Sequence, residues 1–187
     1  MAMFDFQDGN GLVHAHQHPN GGGWVADSAY VDEAAYIGPN TRIYDSAKVY
    51  SNARVCDSVR VYGNAWVYGN AWVYDSARVY GIAKVYDSAK VYGNAKVYGN
   101  AEVYGNARAY GNAVISTSKF PQMKRSDGYD FIAVPCSDHK IRVIAGCRYF
   151  TFEEAHKHWK ETRGGTPLGD ETMLILEYLQ KYVETMK

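Results

Sequence analysis

The chain has 187 residues with 20 basic and 20 acidic side chains, room for one ordinary domain or two small ones and no net charge to draw it toward nucleic acid or an anionic membrane. Its three cysteines, Cys56, Cys136 and Cys147, lack metal-ligand spacing and argue against a disulfide framework. No run of 18 apolar residues and no secretory pattern is present, so a cytoplasmic chain with no membrane association is expected.

Residues 1–24 are expected to form an N-terminal strand or cap. Within them His14, His16 and His18 alternate, which puts three imidazoles on one side of a strand, within reach of a single metal. No fourth ligand or orienting carboxylate accompanies them in the sequence, so no metal is assigned.

From Val25 the chain repeats with a period of six. Stepping by six gives Val31, Ile37, Ile43, Val49 and onward to Val103, Ala109 and Ile115, with Val or Ile at 15 of 16 positions. A small residue, usually alanine, stands two positions before most of them, with Thr41 and Val59 as variants, and Gly-Asn or Asp-Ser pairs lie between. This fits neither a helical stripe nor a hairpin meander. It fits a triangular coil over 25–116: each hexad gives a short strand with its aliphatic residue inward, and the turn pair makes the corner. Three hexads close a coil, giving about five coils of 18 residues.

The residues flanking each inward aliphatic point outward and sort into three faces. The first carries Arg42, Arg60, Arg78 and Lys96 beside Tyr44, Tyr62, Tyr80 and Tyr98. The second includes Lys48, Trp66, Lys84 and Glu102, and the third Arg54, Trp72, Lys90 and Arg108. The first face reads either as a strip for an anionic polymer or as cations and rings that suit an exposed sheet. Trp66 and Trp72 are the expected anchors for a protein contact. Exposed coil ends need a cap, or they pair with another chain.

After Ser116 the hexads stop. Residues 117–128, with Pro121, read as a polar linker, and 129–187 as a ββαα module that caps the coils and joins subunits. Its strands, 129–136 and 140–147, form a hairpin through Ser137-Asp138-His139, with Cys136 and Cys147 as small buried residues at opposite ends. Thr151-Phe-Glu-Glu154 is a capping box opening a helix to about Arg163, with Phe152, Ala155, His156 and Trp159 on its apolar face. Gly164-Gly-Thr-Pro167 ends that helix, and Asp170 caps a second. The second helix has a stripe of Ile175, Leu179, Tyr182, Val183 and Met186, widened by Met173, Leu174 and Leu176.

The hexad array resembles the hexapeptide-repeat, left-handed β-helix family, and the left hand is what that resemblance implies. The expected fold class is therefore mainly β, a left-handed parallel β-helix followed by a small α+β module. The family includes acyltransferases, which use a histidine base and an extruded loop, and carbonic anhydrases, which hold zinc on three histidines. Here no histidine occurs between His18 and His139 and no insertion breaks the register, so no catalytic residue and no cofactor is assigned. The string 145–159, followed by Gly164-Gly-Thr-Pro-Leu-Gly-Asp-Glu-Thr-Met173, looks like a module of small bacteriophage and bacterial proteins. There it is similarly joined to hexapeptide repeats, and His18-Pro-Asn-Gly-Gly-Gly-Trp-Val25 resembles the usual entry into such towers.

The leading expectation is a non-catalytic, phage-encoded binding scaffold that obstructs a host defence protein, such as a CRISPR effector, and assembles as a dimer or trimer. One alternative is an acyltransferase-like enzyme with an inter-subunit site supplied by His156 or His158. Another is nucleic-acid or nucleotide binding by the first face.

Overall fold

The structure, a computed structural model, describes residues 2–116 and 121–185. It is mainly β: a parallel β-solenoid of about five turns, then a small antiparallel sheet and two helices. The chain divides into two compact units, one of Met1–Asn112 with Ser116–Ser118 and one of Ala113–Ile115 with Lys119–Lys187.

In the solenoid each hexad after the three-residue strand Trp24–Ala26 contributes one two-residue strand, and each strand pairs in parallel with the one 18 residues away. Lys48–Val49 sits against Trp66–Val67, and Trp66–Val67 against Lys84–Val85. The backbone runs the ladder one way: the Lys48 and Tyr50 N–H groups donate to the Ala65 and Val67 carbonyls, each at 2.9 Å. The aliphatic column lies inside, with Val49, Val67, Val73 and Val91 fully buried and the corner alanines Ala47, Ala65 and Ala71 fully buried beside them. Each such valine contributes about 1.5–3 kcal/mol of transfer free energy, and an alanine fits where a longer side chain would crowd the narrow interior.

From the second coil on, the corners take left-handed backbone at the first residue of the turn pair. Asp45, Ser51, Asp57, Asp75 and Asp87 have φ between 58° and 60°, and Gly63, Gly69, Gly81 and Gly93 take the same region. Asp and Asn-like side chains tolerate it through local hydrogen bonds. The aspartates do more, since their carboxylates accept the corner N–H of the next coil: Asp45 from Gly63 at 2.9 Å, Asp57 from Asp75 at 3.1 Å and Asp87 from Gly105 at 3.1 Å.

The N-terminal segment, expected as a strand or cap, is a hairpin. Ala2–Asp5 pairs antiparallel with Leu12–Gln17, which pairs antiparallel with Trp24–Ala26 of the first coil. Phe6, Ala15, Ala26 and Tyr44 make a small core outside the solenoid. On the third sheet the first coil is closed by Gly23, whose N–H donates to the Ile37 carbonyl at 3.0 Å, and by the buried His18, whose Nε2 bonds the Ala35 carbonyl at 3.0 Å. The second sheet starts at Tyr30–Val31 with nothing before it, which leaves Val31, expected inside, only half-buried.

The second unit carries a four-stranded antiparallel sheet in the order Gln122–Lys124, Asp130–Pro135, Ile141–Ala145, Arg148–Phe150. The expected hairpin is its centre, flanked by two strands that the sequence reading missed. The stretch read as a linker is ordered where described. Gln122–Lys124 is a strand, and Arg125, only 3% exposed, makes a two-bond contact with Asp127 at 2.9 and 2.7 Å and donates to Thr172 Oγ1 at 2.9 Å. Residues 117–120 of that linker and Met186 of the stripe lie outside the described residues.

Helix α1 (Phe152–Arg163) begins at the expected capping box of Thr151 and Glu154. Helix α2 (Pro167–Glu184) starts earlier than expected. Thr166 is its N-cap, accepting from the Gly169 N–H at 3.1 Å, and Pro167 occupies the first turn rather than terminating the preceding helix. Asp170 thus lies within the first turn and is not the cap. Ile175, Leu176, Leu179 and Val183 pack with Phe131, Val143 and Trp159 in the core, whereas Leu174 faces solvent at 67% exposure. Of the cysteines expected to be buried, Cys136 is, with Sγ 2.8 Å from Tyr149 Oη, but Cys147 is exposed.

Candidate functional site

The register assembles the expected first face. Trp24, Arg42, Arg60, Arg78 and Lys96 are successive partners along one sheet. Arg42 is engaged by the hairpin, donating from one nitrogen to the Phe6 carbonyl at 3.2 Å and to Gln7 Oε1 at 2.9 Å. Among the described residues, Arg60, Arg78 and Lys96 have no carboxylate within ion-pair distance. The second face differs, for there Lys84 pairs with Glu102 at 3.1 Å.

Beside the cations runs a ladder of rings. Phe6, Tyr44, Tyr62, Tyr80 and Tyr98 stack in order, the four tyrosines at centroid spacings of 4.9 Å with planes 2–5° apart. Register forces this, because identical side chains on strands in parallel register adopt one rotamer and meet face to face. Burial under the hairpin pushes the Tyr44 hydroxyl up to about 12, with the neighbouring Tyr62 adding to it. Burial likewise raises Tyr62 and Tyr80. Tyr44 is only 5% exposed, so of the expected binding residues Tyr44 belongs to the hairpin core, and the open part of the ladder starts at Tyr62.

Trp66 and Trp72 are on the second and third sheets, not on the first face, and both remain over a third exposed. Lys48 lies over the Trp66 ring at 5.2 Å, while Arg54 and Lys90 lie over Trp72 at 5.4 and 5.1 Å. A cation over a ring face contributes about 0.5–1 kcal/mol at an exposed site.

Where the first face meets the hairpin there is a cleft of about 410 Å³, lined by Phe4, Trp24, Pro39, Asn40, Arg42, Ser58 and Arg60. Only Arg42 and Arg60 were expected site residues. Phe4 and Trp24 come together because the hairpin adds to the sheet, and their rings stack at 4.2 Å, 13° from parallel. The alternation of Phe4 and Phe6 was the available signal in the sequence.

The histidine triplet does not converge. His14 and His16 are exposed, and His18 turns inward to the Ala35 carbonyl. The carboxylate that the sequence reading did not find is Asp27, 3.0 Å from His16 Nδ1. Among the described residues no group of three or more His, Cys, Asp or Glu side chains has metal-binding geometry. On α1, His156 is half-buried, and His158 packs against Phe150 and Trp159 at 5.0 and 5.1 Å. His158 also lines a cleft of about 310 Å³ with Tyr129, Arg148 and Arg163. Among the described residues no helix is long and apolar enough to cross a membrane.

No curated protein and no solved structure matches the chain. Three windows, 53–69, 59–75 and 65–81, match the family described as YdcK Beta solenoid repeat. They begin six residues apart, in step with the hexads seen in the strands, and this part of the solenoid is similar to that repeat.

Proposed function

We propose that the chain is a non-catalytic binding scaffold whose first face takes an acidic protein surface. The observation that carries this reading is the run Arg60, Arg78 and Lys96, three cations on successive rungs without carboxylate partners among the described residues. Like charges opposite one another on neighbouring strands repel, and an acidic partner removes that repulsion while adding charge-assisted hydrogen bonds. Tyrosine hydroxyls alongside add donors. The ring ladder favours protein over nucleic acid as partner, because single-strand binders offer free ring faces to bases and here the rings face each other at 4.9 Å.

The resemblance of the hexads to hexapeptide-repeat β-helices supports left-handed winding of the solenoid. The likeness of the 145–173 strings to phage and bacterial modules supports a phage-encoded homo-oligomer acting on a host defence protein in the host cytoplasm. The test is capture from a host lysate by the wild type and by an Arg78→Glu, Lys96→Glu double variant at low and high salt. An acidic protein held by the wild type and lost from the variant is expected. A partner held equally by both, or recovery of nucleic acid alone, overturns the assignment.

A further inference from the structure

The cleft between the hairpin and the first coils has a composition unlike the rest of the solenoid surface. Two guanidiniums, of Arg42 and Arg60, share it with two stacked rings, of Phe4 and Trp24, and with the polar side chains of Asn40 and Ser58; none of its lining residues is acidic. Arg42 is held from one nitrogen by Phe6 and Gln7, which fixes the fork and leaves its other donors available. The Arg60 side chain makes no hydrogen bond or ion pair among the described residues, and it stands on the rung next to Arg42. A pre-oriented cation, a second unpaired cation and an aromatic wall in about 410 Å³ match the size of small-molecule sites, and the mostly polar lining suits a charged ligand.

We propose that this cleft binds a small aromatic oxyanion, a planar ring bearing a phosphate or a carboxylate. The oxyanion lies between the Arg42 and Arg60 guanidiniums, whose planar forks suit two-point contact with either group, and offsets their mutual repulsion. Asn40 and Ser58 supply further hydrogen bonds, and the ring packs against the edges of the stacked Phe4–Trp24 pair, where the Arg42 guanidinium lies 5.7 Å from the Phe4 centroid. This site adjoins the partner face: it shares Arg60 with that face but uses neither Arg78 nor Lys96.

Titration calorimetry of the full chain with phenyl phosphate, benzoate, inorganic phosphate and phenol tests the proposal. Saturable binding of phenyl phosphate or benzoate is expected, and the tighter of the two identifies phosphate or carboxylate as the recognised group. Inorganic phosphate and phenol are expected to bind at least tenfold more weakly. Arg60→Gln should weaken binding at least tenfold and Arg108→Gln, on the third sheet, should leave it unchanged. In the unaltered protein, amide and indole resonances of Trp24, Asn40 and Ser58 should shift together. Absence of saturable binding by both aryl anions, inorganic phosphate binding as tightly as they do, or indifference to Arg60→Gln overturns the proposal. The partner-face reading is judged by other variants on a macromolecular partner, so either can fail alone.

Discussion

The carboxylate of Asp75 accepts the backbone N–H of Gly93 at 3.0 Å, eighteen residues further along the chain, while the Asp75 N–H is itself held by Asp57 at 3.1 Å. One corner of the solenoid is thus stitched coil to coil by side chains, in addition to the strand ladder. Asp75 also sits at φ 60°, a conformation that costs most L-residues about 1–2 kcal/mol. Asp75→Ala loses the bond and keeps the strained backbone, so a destabilisation of about 1–2 kcal/mol is expected. Asp75→Gly loses the bond but relieves the backbone and should cost less. Urea unfolding followed by far-ultraviolet circular dichroism checks the order, and an alanine variant as stable as wild type would remove the corner bond from the account.

Arg78 is flanked by Arg60 and Lys96 on the adjacent rungs. Replacing it by glutamate turns two repulsive neighbours into attractive ones, each worth about 0.2–1 kcal/mol. Arg78→Glu should therefore raise the unfolding midpoint in low salt, with the gain shrinking as salt screens the pair, while partner binding falls. A surface kept less stable than a simple substitution makes it is what a binding face looks like. A fall in stability on charge reversal would mean that the column is not under repulsion.

The tyrosine ladders make stability sensitive to alkali. Burial pushes Tyr44 and Tyr86 to about 12, with the Glu102 carboxylate adding to the effect at Tyr86, and it raises Tyr62, Tyr68, Tyr74 and Tyr80. An unfolded phenol ionises near about 10. Between these values the unfolded chain has released protons that the folded one retains, so stability is full below pH of about 10 and is lost as pH climbs toward about 12. Denaturation midpoints at pH 9 and pH 11, with phenolate absorbance at 295 nm, measure this. Titration of all phenols together at their ordinary value, in the folded protein, would contradict it.

The repeat was legible because it is a local rule applied many times. A β-branched residue at every sixth position, an alanine two before it and a turn pair between fix strand, corner and interior in each hexad, and the windows similar to a known solenoid repeat fall in the same step. From that period alone the partners of Arg60 and Arg78 followed, since residues 18 apart must be neighbours. The same logic identified the α1 capping box, whose partners lie three residues apart.

What the sequence could not decide are contacts between segments of different pattern. Nothing local says that residues 2–17 fold back as a hairpin, bury Tyr44, occupy Arg42 and bring Phe4 against Trp24. Nor does it show that a stretch read as a linker carries Arg125, buried against Thr172 and paired with Asp127. Periodicity specifies which residues face inward within a repeating array because each repeat sees the same surroundings. At its ends and in the second unit the surroundings change from residue to residue, and only the packed tertiary structure determines which side chain meets which.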